Sequence, residues 1–151
     1  MKTLSTHSVR EETLTRIANL TPLDAGRWGK MSVHQMVCHL TDAMRYALGE
    51  RPTGIKSGFL ESTFMKWFAL RVPLPWPKGT PTGPEMEQGK GGTMPVEFNE
   101  DRATLVAVLS RFCDQLPQPP LQHPFFGPMT GGDWWRWGYL HADHHLRQFG
   151  R

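Results

Sequence analysis

Apolar residues recur three and four positions apart along four stretches of the chain, and each stretch is bounded by residues that start or stop helices. From 32 to 48 the positions Val33, Met36, Val37, Leu40, Met44, Ala47 and Leu48 form one stripe. The pair Ser32 and Gln35 has capping-box spacing, and Gly49 follows as a stop. From 100 to 116 the stripe is Leu105, Val108, Leu109, Phe112 and Leu116, with Asn99 as the expected N-cap. From 131 to 149 a helix is expected behind Thr130, with Asp133 three residues on. The first stretch, 9 to 20, has only Leu14, Ile17 and Leu20 on its apolar side, behind the box-like pair Ser8 and Glu11. No segment alternates with the period of a strand. Four amphipathic helices without strands predict an all-α four-helix bundle.

Two further segments complicate that picture. Residues 58 to 71 predict an extra short helix, but Phe59, Leu60, Phe64, Met65, Trp67, Phe68 and Leu70 point all round it. Such a helix caps the bundle or contacts a second copy of the chain. Lys66 and Arg71 are too few to make the basic face of a membrane-surface helix. From 72 to 98 a long Pro/Gly-rich loop follows, with prolines at 73, 75, 77, 81, 84 and 95 and glycines at 89, 91 and 92. It is expected to lie across one end of the bundle through Trp76.

Composition narrows the class. A length of 151 residues, 38% hydrophobic and 21% charged, suits one globular domain spanning 1–151 with a core of its own. No apolar run approaches the ~20 residues of a membrane span, and Met1 to Arg10 lacks the apolar segment of a secretory signal. The expectation is a cytoplasmic protein with no membrane partner. Seventeen basic residues against fourteen acidic ones give a net charge of +3, scattered rather than clustered, so no nucleic acid is expected as partner. Cys38 and Cys113 each sit on an apolar-periodic segment and read as buried, reduced thiols.

The candidate chemistry lies in the histidines. On the last helix Trp134, Trp137, Gly138, His141, His145 and Gln148 share one face, and its two tryptophans turn that face inward. Residues four apart on a helix stand ~5–6 Å apart at Cβ, close enough for His141 and His145 to meet on one ion. His39 lies at the edge of the second helix's stripe, where packing beside the last helix would bring it to the same place. Read from the residues alone, two outcomes stay open: a three-histidine metal site, or core histidines that satisfy hydrogen bonds. His144 lies off the face and is expected beside the site rather than in it. His34 is expected to be exposed, and His7 and His123 to lie in loops without partners. Asp42, three residues after His39, could orient it or be a solvated carboxylate, and Gln148 could do the same for His145. Asp143 and Arg147 have the spacing of a surface ion pair, with a substrate-binding role for Arg147 as the lesser alternative.

At these positions the chain resembles a known family. Arg27-Trp28-Gly29-Lys30-Met31, then Val33-His34-Gln35-Met36-Val37-Cys38-His39-Leu40, resembles the second-helix region of the DinB-like (damage-inducible) superfamily. His123-Pro124-Phe125-Phe126-Gly127-Pro128, together with His141, His144-His145-Leu146-Arg147-Gln148-Phe149-Gly150, is similar to its last-helix motif, nearest to a branch of unknown function. The resemblance implies a four-helix bundle of unusual connectivity that is often a homodimer. It implies a divalent metal ion, nickel or zinc, held at the positions of His39, His141 and His145. It also implies a small-molecule substrate, with a low-molecular-weight thiol as one candidate. The expected function is therefore a metal-dependent enzyme, a thiol-dependent transferase or a hydrolase. The alternative is a non-catalytic metal-binding module or a structural dimer module.

Overall fold

The structure, a computed structural model, describes residues 1–51, 59–72, 74–79, 84–115 and 122–151, the side chains of 59–63 and 85 excepted. Five helices carry the fold: α1 (His7–Ala18), α2 (Val33–Ala47), α3 (Phe59–Arg71), α4 (Phe98–Asp114) and α5 (Gly131–Gln148). A two-residue hairpin, β1 (Gln122–His123) and β2 (Gly127–Pro128), precedes α5. The chain is an all-α bundle, as the hydrophobic periodicity predicts.

α2 is the helix most deeply held, with every residue from Met36 to Met44 buried. An amphipathic stripe accounts for half of that. The rest follows because α2 packs on both α4 and α5 while the 84–96 segment covers a third side. Its start is the expected capping box: Gln35 N–H donates to Ser32 Oγ at 3.1 Å, and Ser32 N–H donates to Gln35 Oε1 at 2.9 Å. α1 packs on the same two helices, α4 and α5, so the order around the bundle is α1, α4, α2, α5. The consecutive helices α1 and α2 therefore sit diagonally, and the His39-bearing helix becomes a direct neighbour of the helix carrying His141 and His145.

Three local expectations are corrected. α1 begins at His7 behind Thr6, whose side chain makes no capping bond, so the Ser8–Glu11 box does not form. The chain enters this helix with Leu4 buried and its amide bonded to Trp135 O at 3.3 Å, which sets the start earlier than the local pattern did. α4 begins at Phe98, not after Asn99. Glu97 is the N-cap, accepting from Glu100 N–H at 2.8 Å, and this start lets Phe98 reach the core. The hairpin, unannounced by any alternation, is too short to carry a period. The expected core residue Leu116 and the beginning of the short helix at Gly58 lie outside the described residues. Within the proline-rich segment, Pro84–Met86 forms one turn of 3-10 helix.

The interior centres on Trp134, Phe112, Leu40, Met36 and Leu109, all fully buried. Truncating side chains of this kind costs about 3–5 kcal/mol for an aromatic and 2–5 for a leucine. Gly138 sits where α5 meets the Phe112 ring. A Cβ there would fall 2.6 Å from Phe112 Cε1 and 3.0 Å from Leu4 Cδ1. Ordinarily an exposed helical Gly→Ala gains about 1 kcal/mol, whereas overpacking costs about 1–3. Because Phe112 is held on all sides, the clash wins. Gly138→Ala is expected to lower stability by about 1–2 kcal/mol, a Tm drop of roughly 2–8 °C by calorimetry; an unchanged or raised Tm would show that the ring gives way.

Candidate metal centre

The site is built from a helix-borne pair and one crossing partner. His141 and His145 are one turn apart on α5, and His39 comes from the buried stretch of α2. The ligand atoms of the three rings lie within 4.8 Å of one another, with His39 buried and His141 and His145 partly so. The Nε2 atoms of His39 and His141 are 3.1 Å apart. Two nitrogens bound at ~2.0–2.1 Å to one tetrahedral ion would stand about 3.3 Å apart, so the pair is already near that spacing. Ring centroids are 5.1 Å apart for His39 and His141, 4.8 Å for His39 and His145, and 5.0 Å for His141 and His145.

The tautomers follow from the surrounding bonds. Gln148 Nε2 donates to Trp28 O at 2.8 Å, so its Oε1 is left to accept, and it lies 3.0 Å from His145 Nδ1. That ring nitrogen therefore carries the proton and Nε2 keeps a free lone pair. His39 Nδ1 faces the carbonyl of Met86 at 3.4 Å, which likewise leaves its Nε2 as an acceptor. His141 Nδ1 is buried with no hydrogen-bond partner among the described residues. Whichever nitrogen of His141 holds the proton, the Nε2 lone pairs of His39 and His145 have at most one N–H of the cluster to share. Adding protons is a poor remedy. Burial pushes all three rings below the ordinary histidine value, His145 to about 3; His145 and His39 also disfavour charge on His141, and His39 does so on His145. A divalent cation takes neutral imidazole lone pairs directly, so the donor set fits one.

The outer residues hold this arrangement in place. Gly29, at φ +79°, lies so close to Gln148 that a Cβ would meet Nε2 at 2.7 Å; glycine there lets the Trp28 carbonyl receive the amide. Trp137 packs on His141 with centroids 5.1 Å apart, and Trp76 lies 6.0 Å from the same ring. Trp76 does reach the bundle as expected, its indole N–H donating to Ala69 O at 3.0 Å. His144 stands beside the cluster, packed between Trp28 and Trp76, and burial together with Arg147 and Lys78 disfavours its charged form.

Several expected roles change. Asp42 does not face His39. It is wholly buried, pairs with Arg51, and accepts from Thr93 N–H and Oγ1–H, each at 2.7 Å. Its work is to tie the segment that presents the Met86 carbonyl to α2. His34 is not free on the surface: its Nε2 lies 2.7 Å from Asp101 Oδ2 and its ring edges onto Phe98. With Cys38 these two residues form a second His/Cys/Asp group. The i, i+4 spacing of His34 and Cys38 was a signal for it, but the partner on α4 was not visible in the sequence. Burial, Asp101 and Asp42 raise the Cys38 thiol to about 12, so it stays protonated and Asp101 is occupied by hydrogen bonds from Val96 and His34. This group reads as a pin between α2 and α4. Both cysteines are free and buried, and the Asp143–Arg147 pair forms at 3.1 Å, as expected.

The fold and the cluster together define a helical-bundle protein whose three histidines, one buried and two partly buried on two neighbouring helices, could hold a metal ion. Residues 5–149 match the family model of the DinB superfamily, and the chain belongs to that superfamily. No curated protein and no solved structure matches the chain.

His123 was expected in a loop without a partner, yet it is buried in β1. Its Nδ1 accepts from Phe125 and Phe126 N–H at 3.2 and 3.3 Å, and its ring stacks on Phe126. Burial pushes it down to about 3. The unfolded chain therefore binds one more proton than the folded one between pH 6.5 and 3, and stability falls as pH is lowered through that window. In metal-free protein, His123→Gln is expected to reduce the slope of unfolding free energy against pH by about 1.4 kcal/mol per unit in that range. An unchanged slope in denaturant titrations would mean the ring is charged in the folded protein.

Proposed function

We propose that this protein is a divalent-metal-dependent enzyme acting on a small molecule, with His39, His141 and His145 as the metal ligands. The observation that carries the reading is the meeting of three ring nitrogens within 4.8 Å of one another on imidazoles that burial keeps uncharged. A bound zinc or nickel ion would supply Lewis acidity, lowering the pKa of a thiol or water brought to it. The chain's own contribution is to hold His145 through Gln148 and His39 through Met86 O, and to exclude water with Trp76 and Trp137.

Transfer to or from a low-molecular-weight thiol is favoured over hydrolysis. Among the described residues, the three-histidine group includes no carboxylate to serve as general base, and Asp42 is committed to Arg51 and Thr93. A thiolate needs no such base once bound. A homodimer is part of the proposal: Phe64, Met65, Trp67 and Phe68 on α3 are exposed, a face a second copy could cover. Two free cysteines suit the reducing cytoplasm.

Tag-free protein should contain about one equivalent of transition metal by elemental analysis, and His141→Ala should contain almost none. Zinc at a hundredfold excess over its Kd should raise stability by about 2.7 kcal/mol, a Tm increase of roughly 5–10 °C in wild type that is absent from the variant. Protein that takes up neither zinc nor nickel after loading would refute the reading and leave the histidines structural.

A further inference from the structure

Beside the histidine cluster the surface opens into a cleft of about 320 Å³, a volume at the lower end for small-molecule sites. Its charged walls are Arg27, Lys78 and Arg147, and no acidic residue among the described ones lines it. Its flat walls are Trp28, Trp76 and His144. Trp76 and His144 also wall the metal centre, packing 6.0 Å from the His141 ring and 5.2 Å from the His145 ring.

Among the described residues, the charge of these three cations is only partly neutralised. Arg27 has no ion pair among the described residues; its guanidinium lies flat on Gly150, where a Cβ would meet Nη2 at 2.6 Å. Lys78 has no carboxylate partner among the described residues and sits 4.5 Å over the Trp28 ring. Arg147 shares Asp143 with Arg16, at 3.1 and 2.8 Å, so two cations face one anion and the trio stays positive. The neighbouring cavity of about 470 Å³ shows the contrast. There Lys2 pairs with Glu12, Arg71 with Asp133, and Arg136 donates to the carbonyls of Leu70 and Lys2. Placing unneutralised cations around a partly apolar cleft costs self-repulsion, which an oxyanion relieves through charge-assisted hydrogen bonds.

We infer that this cleft binds the carboxylate or phosphate end of a small molecule whose flat or apolar body lies between Trp28 and Trp76. The substrate class that follows is an anionic small molecule, its charged end held by Arg27, Lys78 and Arg147 and its remainder directed along Trp76 and His144 to the three histidines. The direction toward a reaction rests on the metal-enzyme reading, whereas binding of the anion does not.

The test is titration calorimetry with phenyl phosphate, benzoate and benzyl alcohol, on metal-stripped and zinc-loaded protein. At least one anion should bind at least tenfold more tightly than the alcohol. Lys78→Glu should weaken it tenfold or more, and Arg27→Gln severalfold, with circular dichroism unchanged. Lys78 is exposed in a loop, so its variant tests the charge without risk to the fold. Which of the two anions binds better identifies the head group. Binding of neither anion, equal binding of the alcohol, or wild-type affinity in both variants would overturn the inference. Metal content of the same samples reads the other proposal separately: anion binding by a protein that never takes up metal would leave this cleft standing and remove the enzyme.

Discussion

Three uncharged imidazoles crowd into one small volume between α2 and α5, and much of the nearby structure answers to that crowding. Burial makes protonation costly, so the rings can be satisfied only by fixed tautomers and by something that accepts their lone pairs. Gln148 fixes one ring, and it can do so because its amide is itself anchored on the Trp28 carbonyl, reached across Gly29. The Met86 carbonyl fixes another, and Asp42 keeps the Met86 segment against α2 through Thr93. The site is thus two layers deep on each side: a backbone carbonyl and a side-chain amide touch the rings, and behind them stand the Asp42 carboxylate on one side and the Trp28 carbonyl on the other.

Charge is kept at the rim instead. Inside, aromatic rings and neutral imidazoles make a medium in which an ion's field is weakly screened. Outside, Arg27, Lys78 and Arg147 face solvent across the tryptophans. A molecule with an anionic end and a thiol or other soft group would meet both regions at once, the charged end at the rim and the soft group at the interior. That division is a common way to fix orientation, since charged contacts at one end cost little when solvated and the reactive contact gains most where water is excluded.

The polar groups buried elsewhere in α2 follow a different logic. Asp42 with Arg51 and Thr93, and Asp101 with His34 and Cys38, are networks closed on themselves. Closed networks of this kind add little net stability over an apolar packing of the same shape, but they penalise rotation or sliding of α2 against α4 and the 84–96 segment. A helix buried on nearly every side by apolar contacts alone could shift register at small cost. With these networks it cannot, and His39 stays where α5 meets it.

The sequence by itself determined the helices and the identity of the ligand-bearing faces, because both are local properties. The period of Val33, Met36, Val37, Leu40 and Met44, and the boxes at Ser32 and Thr130, are written within a few residues of the structures they produce. So is the pairing of His141 with His145, which helical geometry places one turn apart. Where the local pattern misjudged at Ser8, His34 and Asp42, the deciding contact came from residues tens of positions away: Trp135 for the entry to α1, Asp101 for His34 and Thr93 for Asp42. At Asn99 the neighbouring Glu97 took the cap, and His123 is held by Phe125 and Phe126 beside it and enclosed by Trp134 and Trp137 of the last helix. Only the tertiary structure could bring His39 to the last helix, since that depends on α1 and α2 lying diagonally rather than side by side. Only it could show which cations are spent on carboxylates and which are left facing a cleft. Both are outcomes of how whole faces pack, and no periodicity along the chain encodes which partner a buried or charged group will meet.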